Sequence, residues 1–285
     1  MTDAIQLYSK IWPGLEHWRR QLEQSPRPQR LRVEDLSAPS TRVLADLRTA
    51  IASAGYCCYR GPSTSDANAV LQLCQKLGLR TLDDTLVGAR GALTVIGKPS
   101  TASAAGAYRP YSASALGWHT DGYANAADAS VRAFALHCVR PATTGGANQF
   151  VDPRRVLARL VEANPSAVKT LMRDDALTIP ANVRGGAVLR AQRSVPVFAA
   201  DADGYLITRY TARRKHVRWH PDVSAARGAM MDAIAREAED VQAIVLAPGE
   251  GVICANVLHN RSEFVDHAGL DARAYLRGRF FERLE

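Results

Sequence analysis

The stretch WHTD at 118–121 places the imidazole of His119 and the carboxylate of Asp121 two residues apart. On extended backbone, residues i and i+2 project from the same face of a strand, so both side chains can bind one ion. A second imidazole, His259, follows the apolar run of NVLHNR, which also favours a strand. Two histidines and one carboxylate on one face of an octahedron form the facial triad of non-haem iron oxygenases, with three coordination positions left open. Because an H-x-D triplet alone is a weak motif, the neighbouring motifs must support the assignment.

The stretch RAYLRGRFF (273–281) alternates strictly, which is typical of a strand. One face carries arginines and a tyrosine, and the other is apolar. The two sets are Arg273, Tyr275, Arg277 and Arg279 on the first face, and Ala274, Leu276 and Phe280 on the second. A buried guanidinium is costly unless it is paired, so an inward arginine face implies an anion. Alternation alone equally allows the arginines to face solvent.

Five short motifs, in this order along the chain, resemble the superfamily of taurine dioxygenase, clavaminate synthase and γ-butyrobetaine hydroxylase. They are W-H-T-D, L-H-C, G-G-x-N-x-F-V-D, N-x-L-H-x-R and R-x-x-L-R-G, and the resemblance covers roughly residues 85 to 283. It implies a double-stranded β-helix, a cupin-like jelly roll with flanking helices. It also implies a chemistry that uses iron(II), with 2-oxoglutarate and O2 as co-substrates.

By position, the resemblance makes His119, Asp121 and His259 the catalytic iron ligands. Arg273 would form a bidentate salt bridge with the distal carboxylate of 2-oxoglutarate, a geometry that suits a planar guanidinium. Asn148 lies two residues after the glycine pair, where relatives often have a threonine that helps to hold the same carboxylate. This departure from the pattern leaves the role of Asn148 open.

Three further residues are candidates for binding the substrate. Arg277 matches the position that taurine dioxygenase uses for an anionic substrate group, and Arg209, in ITRY, resembles a position near the substrate pocket. Trp118, with Tyr108 and Tyr111, is placed to line the mouth of the pocket. The alternatives are a surface arginine at 209 and core aromatic residues at the other positions.

The elements that must position these residues are mixed, and we predict an α+β or mainly β fold. Apolar stripes with polar caps predict helices at 40–54, 64–78, 153–163, 166–173 and 222–240. Apolar or alternating runs predict strands at 56–60, 131–139 and 149–152, on both sides of the P-G-E-G turn between 243 and 259, and at 273–281. Residues 98–117 are rich in Ala, Ser, Gly and Pro, which predicts a mobile loop, and residues 180–222 are irregular and rich in arginine.

We predict a single domain over 1–285, with a helical N-terminal part at about 1–80 and a lid-like insert at about 175–222. No apolar run approaches 18 residues, which argues against a membrane protein. The five cysteines include no C-x-x-C pair, so a cytoplasmic protein without disulfides is expected. The net charge of +8 favours anionic small molecules, and only five of the 36 basic residues are lysines, which argues against nucleic acid.

The predicted function is hydroxylation of an unactivated C–H bond in a small, anionic or amino-acid-like substrate, with release of succinate and CO2. Desaturation, epoxidation or oxidative cyclisation at the same centre is the alternative. More remote alternatives are a nucleic-acid-associated protein and a barrel that only binds a ligand. The sequence identifies neither the substrate nor the oligomeric state, and a homo-oligomer stays open.

Overall fold

The structure is a computed structural model that describes residues 30–83, 92–97, 112–201, 203–213, 216–266 and 272–284. Tyr108, Tyr111 and most of the predicted 98–117 loop lie outside these residues. The chain divides into two compact units. The larger comprises the described residues within 25–116, 125–150 and 242–285, and the smaller comprises those within 117–124 and 151–241. The single-domain organisation stays a prediction.

The described residues form a series of helices and strands, numbered in chain order. The helices are α1 (Thr41–Ala54), α2 (Ala67–Lys76), α3 (Pro153–Ala163), α4 (Pro165–Leu171) and α5 (Ser224–Glu239). The strands up to residue 151 are β1 (Arg30–Arg32), β2 (Tyr56–Arg60), β3 (Thr94–Ile96), β4 (Leu116–His119), β5 (Ala133–Arg140), β6 (Thr144–Gly145) and β7 (Asn148–Val151). The later strands are β8 (Leu177–Ile179), β9 (Asn182–Arg184), β10 (Ala187–Arg190), β11 (Arg193–Val195), β12 (Phe198–Ala200), β13 (Leu206–Thr208), β14 (Arg218–Trp219), β15 (Glu250–Cys254), β16 (Leu258–Arg261), β17 (Phe264–Val265) and β18 (Ala274–Phe280).

The larger unit is built on a six-stranded sheet in the order β1–β2–β15–β5–β18–β3. The β1–β2 pair is parallel and the other pairs are antiparallel. The strands predicted at 56–60, 131–139 and 273–281 are therefore confirmed. The first run of the predicted 243–259 strand pair is not a strand, because Ile244 makes only an isolated bridge to Asn148.

Helices α1 and α2 cover one face of this sheet. Helix α1 begins where the Ser40 side chain accepts a hydrogen bond from the Val43 N–H and ends at Gly55, whose φ is 78°. Both predicted helices are confirmed. The apolar cluster beneath them includes Leu47, Ile51, Val70, Leu73, Leu276 and Phe280.

The opposite face of the sheet is also buried. Its apolar contacts come from clusters that include Phe134, Cys138, Phe150, Val252 and Tyr275. Arg273 and Arg279 are 5% and 8% exposed, so these two arginines do not face solvent. Strand β18 therefore buries its apolar face under the helices, and Tyr275 and Arg279 of its other face are buried inside the unit.

The smaller unit contains α3, α4 and α5, which pack against one another. Asp152 caps α3 by accepting a hydrogen bond from the Arg154 N–H, and Pro153 stands in the first turn. The three helices predicted between 153 and 240 are confirmed. Residues 180–222, however, are more regular than predicted, since six short strands, β9 to β14, lie there in small antiparallel sheets.

The described residues also bear on membrane-spanning helices and on disulfides, the two features for which composition set an expectation. No described helix is long and apolar enough to cross a membrane. No disulfide joins the five cysteines, all of which are buried.

Candidate metal centre

His119 is the last residue of β4, and the strand is held in register by the segment around 208–212. His119 forms an antiparallel bridge with Thr211. The Thr120 N–H donates to the Tyr210 carbonyl at 3.0 Å, and the Ala212 N–H donates to the Trp118 carbonyl at 2.9 Å. Two neighbouring extended segments therefore fix the backbone that carries the H-x-D triplet.

Thr120, between the histidine and the aspartate, uses its side chain to lock this register. Its hydroxyl donates to the Thr208 carbonyl at 2.9 Å and accepts from the Tyr210 N–H at 3.2 Å. Thr120 is 1% exposed. Because its side chain is committed to the neighbouring segment, His119 and Asp121 are left to project from the other face of the backbone.

The two histidines are oriented in the same way. His119 Nδ1 lies 2.8 Å from the Gly117 carbonyl, and His259 Nδ1 lies 2.9 Å from the Val257 carbonyl. A carbonyl oxygen only accepts, so each Nδ1 carries the proton and the lone pair of each neutral ring is on Nε2. A backbone carbonyl that holds Nδ1–H is the usual outer contact of a metal-binding histidine.

His259 lies on β16 among aromatic side chains. Its ring centroid is 4.7 Å from that of Phe134 and 6.4 Å from that of Phe150. The side chain is almost fully buried. These contacts hold the plane of the imidazole ring and keep water away from one side of it.

One ligand atom from each of His119, Asp121 and His259 lies within 4.8 Å of the other two. Two imidazole nitrogens and one carboxylate oxygen form a donor set that suits a first-row divalent ion and leaves coordination positions open. The residues present therefore fit the iron that the motif implies.

Arg273 precedes β18 and is buried against aromatic rings. The carbon centre of its guanidinium is 4.0 Å from the Tyr275 ring centroid and 4.9 Å from that of Phe264. Burial lowers the pKa of Arg273, although a guanidinium stays charged at neutral pH. Within the described part of the chain, no carboxylate lies at salt-bridge distance from this group. The Tyr275 side chain and the charge of Asp266 partly offset the effect of burial. A buried cation without an ion pair among the described residues is suited to receive an anionic ligand.

Asn148 begins β7 and is also buried. Its side-chain amide donates to the Gly146 carbonyl at 3.2 Å, and its backbone exchanges two 2.8 Å hydrogen bonds with Ile244. The side chain is thus tied to the glycine turn that precedes it. Whether it contacts a co-substrate carboxylate stays a prediction.

The three substrate candidates have different surroundings. Arg209 is 5% exposed and follows β13, where its N–H donates to the Val197 carbonyl at 2.8 Å. Trp118 is partly buried on β4, directly before His119. Arg277 is partly exposed on β18, opposite Leu136 of β5.

Sequence reasoning missed three groups at this site. The carbonyls of Gly117 and Val257 orient the histidines, and backbone atoms leave no signature in residue types. Phe264 contacts Arg273, but its strand of two residues is too short to give a periodic pattern.

The profile of the taurine catabolism dioxygenase TauD, TfdA family matches residues 19–278. A uridine-5'-phosphate dioxygenase from Streptomyces sp is 31% identical over 160 residues, which are 53% of this chain and 57% of that protein. The match therefore spans little more than half the length of this curated relative.

Solved structures resemble this chain over more of its length. An asparagine oxygenase, in complex with Fe(II), 3-hydroxyasparagine and succinate, has a TM-score of 0.57 at 16% identity and covers 98% of this chain and 91% of its own. A taurine dioxygenase from Burkholderia xenovorans has a TM-score of 0.57 at 16% identity, with 90% and 89% covered. These likenesses show the fold, and the predicted cupin-like jelly roll with flanking helices is confirmed.

Proposed function

This chain belongs to the taurine catabolism dioxygenase TauD, TfdA family, and on that premise we propose that it hydroxylates a small anionic substrate with iron(II), 2-oxoglutarate and O2. The observation that carries the proposal is the approach of three ligand atoms, two imidazole and one carboxylate, to within 4.8 Å of one another. The residues around these ligands supply the remaining parts of the site.

We assign the metal to His119, Asp121 and His259. The hydrogen bonds from Nδ1 to the carbonyls of residues 117 and 257 support this assignment, because they put the lone pair of both rings on Nε2. Iron bound there would couple the oxidative decarboxylation of 2-oxoglutarate to succinate and CO2 with removal of hydrogen from the substrate. The protein's own part is to orient the ligands and to keep water from the centre.

Arg273 is proposed to bind the distal carboxylate of 2-oxoglutarate. Its guanidinium is already desolvated and has no carboxylate partner within the described residues. A bidentate pair with a carboxylate would replace the lost hydration, and the planar donor pattern selects that geometry. Asn148 is proposed as a second, weaker contact to the same group.

Arg209 is proposed to bind an anionic group of the substrate. The bridge between His119 and Thr211 sets the register of the two segments. Asp121 comes two residues after His119 and Arg209 two residues before Thr211, so backbone that stays extended on both sides of the bridge would put all four side chains on one face. A buried cation on the face of the proposed iron ligands is well placed to hold a substrate anion. Arg277 and Trp118 are proposed as further substrate contacts.

A nucleoside 5'-phosphate is the first substrate to test. The Streptomyces relative is named a uridine-5'-phosphate dioxygenase, and its match covers about half of each chain. A phosphate is also an anion that a guanidinium binds through charge-assisted hydrogen bonds, as the role proposed for Arg209 requires. Amino acids form the comparison set, because the asparagine oxygenase shares only the fold.

The first experiment adds iron(II) and then 2-oxoglutarate to the protein without oxygen and measures the visible charge-transfer band of the chelate. The band should appear in the wild type and be lost in His119→Ala and Asp121→Ala. His216→Ala is the control, because this histidine is exposed. Bound iron without a band in the wild type would contradict the proposal.

The second experiment supplies O2 and measures succinate with uridine 5'-phosphate, uridine and amino acids in turn. We expect stimulation by the phosphate and not by uridine, and loss of that stimulation in Arg209→Gln. The product mass then separates hydroxylation, a gain of one oxygen atom, from desaturation, a loss of two hydrogens. Equal stimulation by uridine would exclude recognition of the phosphate.

A further inference from the structure

Phe264 is shared by two buried arginines. Its ring centroid lies 4.9 Å from the guanidinium carbon of Arg273 and 4.7 Å from that of Arg261. Arg261 is 4% exposed and belongs to β16, two residues after His259. The ring therefore links the strand of a proposed iron ligand to the proposed co-substrate arginine.

Arg261 is anchored by backbone carbonyls. Its guanidinium donates to the carbonyl of Ser112 at 2.7 Å and also to that of Ser114. The Phe264 N–H donates to the carbonyl between them, that of Ala113, at 3.1 Å. Both Arg261 and the backbone of Phe264 are thus fixed to the same segment, and the ring has little freedom to follow Arg273 if Arg273 moves.

The glycine pair of the G-G-x-N motif holds Phe264 from the other side. Gly145 pairs with Phe264 in the β6–β17 ladder and has a φ of 76°. A Cβ at Gly145 would lie 2.2 Å from the Glu263 carbonyl oxygen and 3.0 Å from the Phe264 Cα. Only glycine permits this approach, which explains in physical terms why the turn carries glycine there.

We propose that Phe264 is a positioning residue that fixes the guanidinium plane of Arg273 for the distal carboxylate of 2-oxoglutarate. The inference rests on the proposed function and concerns the co-substrate half of the site. Without the ring, Arg273 would keep its charge and its contact with Tyr275, but it would sample more rotamers before the carboxylate arrives.

Two physical effects favour this role. A cation over an aromatic face is attracted by the ring quadrupole, and the attraction grows when both groups are desolvated. A preorganised side chain also loses less conformational entropy when the ligand binds. Both effects depend on the aromatic face rather than on side-chain volume, so leucine cannot replace them, whereas tyrosine can.

The test titrates 2-oxoglutarate into the anaerobic iron(II) protein and reads the charge-transfer band. We expect Phe264→Leu to raise the dissociation constant about tenfold, the effect of one desolvated cation–π contact. Phe264→Tyr should restore most of the affinity. The control is Phe280→Leu, because Phe280 is buried on the opposite face of β18 under the helices and does not contact Arg273.

A second ligand separates positioning from general damage. 2-Oxobutyrate chelates iron through the same keto acid group but has no distal carboxylate for Arg273 to bind. Phe264→Leu should therefore weaken 2-oxoglutarate and leave 2-oxobutyrate unchanged. Equal weakening of both ligands, or an effect equal to that of Phe280→Leu, would overturn the inference.

The outcome also distinguishes this inference from the proposed function. No band in the wild type would refute the function itself. A wild-type band that weakens in Arg273→Ala but not in Phe264→Leu would leave the function standing and refute only the role of Phe264.

Discussion

One buried arginine, Arg273, lies directly before strand β18 and another, Arg279, lies near its far end, and the two have different partners. Arg279 forms an ion pair with Asp83 at 2.8 Å, and Asn125 donates to the same carboxylate at 3.0 Å. The Asp83 N–H also donates to the Arg279 carbonyl at 2.8 Å. Arg273 instead contacts the rings of Phe264 and Tyr275.

This difference separates an arginine with a structural partner from the one that we propose binds 2-oxoglutarate. A buried pair whose donors and acceptors are satisfied is complete in the folded protein, so it has little to offer a ligand. A buried guanidinium that lies against rings, with the Tyr275 side chain as one hydrogen-bond partner, still has N–H donors left for an anion. Burial and residue type are the same at both ends, and only the partner distinguishes them.

The largest expected effect is on stability at the Arg279 end. Arg279→Ala leaves the Asp83 carboxylate buried and without its cation, which should lower the free energy of unfolding by about 3–5 kcal/mol. Arg273→Ala removes a buried charge that has no ion pair among the described residues, and it should lower the free energy of unfolding by far less. Urea unfolding of the two variants measures the difference. Equal losses would mean that both arginines are structural.

A double variant shows whether the loss of stability comes from the unpaired Asp83 carboxylate. In Arg279→Leu with Asp83→Leu, neither position leaves an unpaired buried charge, so much of the lost stability should return. The same urea midpoint experiment applies. If the double variant is as unstable as Arg279→Ala, the lost stability comes from altered packing and not from the unpaired carboxylate.

The next effect is on co-substrate binding at the Arg273 end. Arg273→Ala should weaken 2-oxoglutarate by about 2–5 kcal/mol, the cost of removing one partner of a desolvated charge pair. Arg279→Lys keeps the cation at the other end and should leave the affinity near that of the wild type. Anaerobic titration of the charge-transfer band measures both. A comparable loss in Arg279→Lys would erase the distinction between the two ends.

A smaller effect is expected at the turn that supports the Arg273 end. Gly145→Ala puts a methyl group 2.2 Å from the Glu263 carbonyl on a backbone with φ of 76°. We expect a loss of about 1–3 kcal/mol in stability, together with weaker binding of 2-oxoglutarate. Gly186→Ala is the matched control, because its φ is 81° and nothing lies within 4 Å of the added Cβ.

The comparison between these two glycines isolates the steric contact. Both substitutions strain a left-handed backbone, and only Gly145→Ala also displaces the strand of Phe264. If both variants bind 2-oxoglutarate equally well, the turn does not control the orientation of Arg273.

The sequence predicted the parts of the site whose signals are local. The i, i+2 spacing of His119 and Asp121 and the alternation of 273–281 each depend on a few adjacent residues. The glycine pair was noticed as a motif, but its physical reason, the approach of Glu263, required the structure. The partners of the two arginines were not predictable. Asp83 and Arg279 are 196 residues apart, and alternation assigns a side chain to one face of a strand without identifying the residue that it contacts there.

The 175–222 segment shows a second limit. Its strands β8 to β13 have three or four residues each, fewer than the periodic pattern needs to be recognised. Tight turns at Gly185, Gly186 and Gly204 connect them. The strands were missed because they are short, not because of their composition. Most of the described arginines of this segment lie on or beside short antiparallel strand pairs.

The smallest expected effect concerns the other face of β18, where the buried titratable group must be neutral rather than charged. His137 of β5 lies opposite Leu276, is fully buried and has Nδ1 2.9 Å from the Tyr59 hydroxyl. Burial lowers the pKa of His137 below its usual value of 6.5. Below that pH the unfolded chain takes up the proton and the folded chain does not, so protonation favours unfolding as the pH falls.

The free energy of unfolding should therefore decrease as the pH falls from 6.5 toward the lowered pKa of His137. The slope from this group is at most about 1.4 kcal/mol per pH unit, the value for one proton. Urea unfolding of the metal-free protein should show a shallower slope in His137→Gln than in the wild type, while His216→Gln, at an exposed position, leaves it unchanged. An unchanged slope in His137→Gln would mean that the folded protein accepts a charged His137. The helix-covered face of β18 would then tolerate a buried charge, as the arginine face does.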